Sequence, residues 1–186
     1  MGASGASSGP RPGHSAAAHA TDAAALIDAC AKRATRAGVF GSVRALPDHR
    51  GLECAAASAA SPAHYRLTIE PDGRAWVSLV MADRYLSQSI EADLVHTGDK
   101  LSDLVRDELI DLGAAIGRQD PGPSVEHFRD EQKLFTFRSP VTPRAAPLDD
   151  PAVIERAAQL LLAYQSCFAN LGDMSGGDQG HDEANA

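Results

Sequence analysis

The sequence lacks most of the features that mark a functional class. It has no apolar run approaching the ~20 residues of a membrane span. Its N-terminus has no cationic start followed by a continuous apolar stretch, as a secretory signal would. The expectation is a cytoplasmic protein with no membrane segment. Cysteine is scarce: Cys30, Cys54 and Cys167 are odd in number, far apart, without a C-x-x-C pair, and each stands among apolar residues. That pattern predicts three reduced, mostly buried thiols rather than a disulfide framework. Only Cys30, near Lys32 and Arg33, has even a weakly basic setting of the kind that activates a thiolate. A surplus of cationic charge is also missing. The net charge is −8, which argues against a general nucleic-acid binder, because phosphates call for a basic face. The bases are mostly arginine, alongside abundant alanine, a composition that carries no functional meaning by itself.

Catalytic signatures are equally thin. No H-x-x-x-H, H-E-x-x-H or G-x-S-x-G occurs. The densest cluster of ionisable residues is "SIEADLVHTGDKLSDLVRDEL", with Glu91, Asp93, His96, Asp99, Asp103, Asp107 and Glu108. In a strand, residues 91 and 93 share a face and 96 points the other way; in a helix, 93 and 96 align while 91 lies well around the axis. Neither arrangement gathers a metal, and the other histidines (His14, His19, His49, His64, His127, His181) fall in tails or near turns, so no metal and no cofactor is expected. "TGDK" has one glycine and no Ser or Thr after its lysine, which is a helix start rather than a phosphate loop. Asp99 is expected to cap that helix. Asp103 and Asp107, four apart with Arg106 close by, read as a solvated helix face.

What is present is a pattern of elements. At 186 residues the chain suits one domain. Residues 1–20 and 172–186, rich in small and polar side chains, cannot bury enough surface to order themselves and are expected to be disordered tails, leaving a domain over 21–171. Thr21 or Asp22 can cap a helix with Leu26, Ile27, Cys30, Ala34 and Ala37 on one face, stopped by Gly38. "VRALP" and "LECAAAS" alternate loosely enough to be strands. "HYRLTIEPDGRAWVSLVM" alternates on both sides of a Pro-Asp-Gly turn and predicts an antiparallel hairpin. "ADRYLSQS" reads as a turn or the start of a strand. Ile90, Ala92 and Leu94 alternate with acidic residues, predicting a third strand. From Leu101 the period changes to 3.6 and runs to Gly113. "VEHFRDEQKLFTF" reads as a second hairpin. Asp150 and Pro151 open a last helix reaching about Leu171. The order α-β-β-β-α-β-β-α, with short antiparallel connections, predicts an α+β two-layer sandwich: an antiparallel sheet of about five strands and three helices.

Trp76 and Val80 fall on the strand face opposite Ala75, Val77, Leu79 and Met81, with Tyr85 and Leu86 just beyond. If one side of the sheet is bare, these four form a partner-binding patch; the other reading, that Trp76 belongs to the core, stays open. The segments "YRLTIEPDGRAWVSLVM", "SIEADLVHTGDKLSDLVRDELIDLG", "KLFTFRSPV" and "VIERAAQLLLAYQ" follow one another in an order that resembles the type III secretion chaperone-like and YbjN-type family, over about residues 22–171. The resemblance implies a small cytoplasmic protein that binds other proteins without catalysis, commonly as a homodimer, its partner being a protein client or itself. A different class stays open beside it: a small enzyme or ligand-binding domain using Glu91, Asp93 and Asp99.

Overall fold

The hairpin read from Tyr65 to Met81 forms the centre of the molecule in the computed structural model, which describes residues 16–47, 50–117, 119–144 and 146–176. In chain order the elements are α1 (Ala16–Ala37), β1 (Phe40–Ala45), β2 (Gly51–Ala56), β3 (Ala63–Ile69), β4 (Ala75–Met81), α2 (Arg84–Thr97), α3 (Leu101–Asp111), β5 (Glu126–Arg129), β6 (Phe135–Pro140) and α4 (Pro151–Phe168), followed by a short 3-10 helix, Gly172–Ser175. The strands make one antiparallel sheet in the order β1-β2-β3-β4-β6-β5. The architecture is therefore α+β, with an open antiparallel sheet on one side and the helices on the other, as the sequence pattern predicts. The expected count of five strands and three helices becomes six and four among the described residues.

Local chemistry explains the hairpins. Between β3 and β4, Gly73 adopts φ 84° and its N–H donates to Glu70 O at 2.9 Å, a turn that needs the conformational freedom of glycine. Between β5 and β6 the Asp130 carboxylate instead accepts from Leu134 N at 2.8 Å. Alternation then sorts the sheet's two faces. Tyr65, Leu67, Val77, Leu79 and Phe137 join the core with Leu26, Ile27 and Cys30 of α1 and Leu161, Tyr164 and Phe168 of α4. α4 packs on the central strands β3 and β4, α1 on β1 and β2, and α3 on α4.

The stretch 84–97 departs from the expected strand. Asp83 takes the cap position, its carboxylate accepting from Tyr85 N at 2.7 Å and Leu86 N at 3.3 Å while Ser61 Oγ donates to it at 2.7 Å. A helix then buries Leu86, Ser87 and Ile90, with Leu94 partly covered one turn on, and leaves Ala92 exposed. Ile90 and Leu94 satisfy both periods; the Asp83 cap and the burial of both Leu86 and Ser87 fit only a helix. Asp99 is not a cap either: Lys100 precedes α3, and no side chain caps it.

The domain is also longer than the composition indicates. Residues 16–20, expected in a disordered tail, belong to α1, so Thr21 and Asp22 lie inside the helix rather than at its cap. Residues 172–176 are likewise ordered, because Met174 is buried in the core. Residues 1–15 and 177–186 of the expected tails lie outside the described residues. Gly172 fastens this C-terminal turn to α2: its N–H donates to Asp93 at 3.2 Å, its φ is 51°, and a Cβ there would sit 2.6 Å from Ile90 N. Gly172→Ala is therefore expected to destabilise the fold by about 1–3 kcal/mol, read as a lower urea midpoint. A variant as stable as the parent would show that this close approach relaxes freely.

Candidate functional site

On the face of the sheet turned away from the helices, the register lines up one residue from every strand: Arg44, Glu53, Arg66, Ser78, Arg138 and Glu126. Glu53, 3% exposed, is the hub of one half. Arg44 Nε reaches its Oε1 at 3.0 Å and Arg66 Nε its Oε2 at 2.8 Å. Burial on its own would push this carboxyl's pKa up, but the two arginine hydrogen bonds and the field of Arg66 and His64 outweigh it and hold it below the usual glutamate range. Arg138 is the hub of the other half, with Glu126 at 2.7 Å and Glu70 at 2.9 Å.

Trp76 and Val80 do point to this face, as alternation predicts, and neither belongs to the core cluster. They are not bare, however. Trp76 is 3% exposed because two guanidinium groups lie over its ring, Arg138 at 4.0 Å and Arg74 at 4.7 Å from the centroid. Arg138 also stands 5.0 Å over Phe128. The other two expected contact residues separate. Leu86 is buried in the core under α2, whereas Tyr85 is 79% exposed on that helix's outer side. The four residues thus do not make one apolar patch. A mixed aromatic and arginine surface stands in its place, built from Arg74, Trp76, Phe128 and Arg138.

Among the described residues, two buried side-chain polar atoms have no hydrogen-bond partner, Trp76 Nε1 and His64 Nδ1, and both side chains lie on this face. His64 Nδ1 is 3.6 Å from Glu53 Oε1, too long for a hydrogen bond.

The acidic residues weighed for catalysis do not converge. Asp93 holds Gly172 N, Arg106 pairs with both Asp103 and Asp107 at 3.0 Å, and Glu91 lies beside Ser87 and His127. Ser87 and His127 join Glu91 in a group that no sequence pattern reveals. Ser87 Oγ donates to Glu91 Oε1 at 3.1 Å and lies 3.4 Å from His127 Nε2, which is itself 3.7 Å from the same carboxylate oxygen. A nucleophilic triad needs the base between nucleophile and acid, using its two different nitrogens. Here both partners crowd Nε2, and Ser87 is fully buried. Burial lowers the His127 pKa more than Glu91 raises it. The group joins α2 to the edge strand β5, and its serine is enclosed although the His127 and Glu91 side chains are 32% and 48% exposed. The three cysteines are free and buried, and burial pushes each thiol up to about 12, far from thiolate reactivity. No group of three or more His, Cys, Asp or Glu able to hold a metal occurs among the described residues, and no helix among them is long and apolar enough to cross a membrane.

Comparison of the chain with protein-family models, with curated proteins and with solved structures finds no match.

Proposed function

We propose that the protein is a non-catalytic binding module that docks another protein on the open face of its sheet. One observation carries this reading: the face opposite the helices carries the guanidinium groups of Arg74 and Arg138 laid over a buried Trp76 and a half-buried Phe128, residue types that dominate protein interfaces, outside the cluster of the core. The likeness of element order to the secretion chaperone-like and YbjN-type proteins points the same way, although α2 takes the place of the third strand in that order. Three free, buried cysteines suit a reducing compartment such as the cytoplasm.

The test is a titration of the isotope-labelled protein with a panel of short unstructured peptides of varied charge, followed by amide chemical shifts. The expected shifts gather on β2, β3, β4 and β6. Shifts gathered instead around Glu91, Asp93 and Asp99 would favour the carboxylate-based ligand site and overturn this reading. Light scattering adds the remaining arm: a dimer whose contacts cover the same amides would make the partner a second copy.

A further inference from the structure

On the helix side of the molecule, the cleft where the loop after α3 meets the start of α4 holds two unmet polar side chains. From them we infer a binding site for a small monocarboxylic acid with an apolar body. α3 packs on α4, and Ala114, Ala115 and Ile116 line a space of about 420 Å³ together with Ala152, Arg156 and Gln159. Residues 152, 156 and 159 follow at spacings of four and three, so one side of α4 presents all three.

Arg156 is partly buried, yet it makes no hydrogen bond, ion pair or ring contact among the described residues. Arg66, Arg106 and Arg138, also partly covered, each hold a carboxylate. Burial draws the Arg156 pKa down, and no nearby acid draws it back. Gln159 is 8% exposed and likewise has no hydrogen-bond partner among the described residues. A polar side chain so far removed from water normally has one. Glu155 also borders the cleft, but its carboxylate is held by Arg33 of α1.

The donor set selects the ligand. A guanidinium has five N–H groups and no acceptor, and its planar fork matches a carboxylate through two parallel hydrogen bonds. The Gln159 amide supplies a further N–H for a carboxylate lone pair that the fork leaves free. The other walls are the methyl groups of three alanines and the side chain of Ile116, which suit a short hydrocarbon body. One uncompensated cation, with Glu155 beside it, balances a monoanion. A phosphate dianion meets too little positive charge there.

The same reasoning has a consequence without ligand. A desolvated guanidinium lacking an anion disfavours the folded state, so Arg156→Met, which keeps an apolar stem, is expected to melt no lower than the parent. The binding test titrates the full-length isotope-labelled protein with 4-methylpentanoate, its primary amide and inorganic phosphate at neutral pH. The acid is expected to shift the amides of residues 113–116 and 152–159 saturably, and to bind about tenfold tighter than its neutral amide. Arg156→Met should abolish that preference, and Arg156→Lys should keep only part of it, because an ammonium lacks the fork. Gln159→Leu should weaken binding about threefold. Equal binding of the amide or of phosphate overturns the carboxylate class. Shifts gathered elsewhere, or none from any probe, overturn the site. So does an Arg156→Met protein that melts well below the parent, since Arg156 would then have a partner in the native fold. None of these outcomes touches the open-face reading, whose amides lie on β2, β3, β4 and β6.

Discussion

Phe137→Ala is expected to lose about 3–5 kcal/mol of unfolding free energy, a large share of the ~5–15 kcal/mol that keeps a domain folded. The ring is 1% exposed in the middle of the core face. It lies 5.3 Å from Phe168 of α4 and stacks with His127 of β5 at 3.8 Å, the planes within 9°. One side chain therefore ties the main helix to the sheet and the edge strand to its neighbour. Truncation leaves a void lined by Leu79 and other β-sheet and helix side chains too rigidly held to close it. Urea unfolding will show the midpoint fall with little change of slope. Phe128→Ala, one residue from His127 and on the opposite face, is expected to cost less than about 1.5 kcal/mol, because its half-buried ring supports only Arg138. Comparable losses in the two variants would refute the assignment of faces.

The second large effect is expected at Glu53. Glu53→Gln keeps the side chain's shape but removes the charge that Arg66 and Arg44 share, and should cost about 2–3 kcal/mol at neutral pH, where a partly buried guanidinium is left unmatched. Arg44→Ala should cost less than about 1 kcal/mol, since that side chain is 69% exposed and water replaces the pairing. The pH dependence has a fixed sign. Because the folded carboxyl titrates below its unfolded value of ~4.3, its contribution is complete above that pH and is lost as pH falls through the folded pKa. The stability gap between parent and Glu53→Gln should accordingly shrink below pH ~4.3. A gap that stays constant through that range would mean the charge is not what Glu53 supplies.

Elements governed by neighbouring residues were legible in the sequence. The Pro71-Asp72-Gly73 turn, the α1 stripe of Leu26, Ile27 and Cys30, and the Asp150 cap with Ala152 N at 2.8 Å each depend on residues a few positions apart. Residues 84–97 are the exception, because their Asp83 cap is itself local yet the apolar alternation over 90–94 masks it. The α-helix over Ile90 and Leu94 hides behind a pattern that a short strand also satisfies. The candidate face was half legible. Alternation placed Trp76 and Val80 on it, and the turn at Glu70–Arg74 sets Arg66 opposite Ser78. Arg138, which decides whether Trp76 is bare or covered, comes from β6, and no local pattern reveals that β6 pairs with β4 rather than forming a separate hairpin.

The strand order β1-β2-β3-β4-β6-β5 divides the sheet unequally in time as well as in space. Pairings β1–β2, β2–β3, β3–β4 and β5–β6 join strands consecutive in sequence, so each closes a short loop. The β4–β6 seam alone must close across α2, α3 and β5. Loop-closure entropy makes such a pairing slow to form and dependent on what lies between. Arg138 arrives over Trp76 only when that seam closes, so the face begun by the β1–β4 meander is completed by the strand pairing with the longest loop to close.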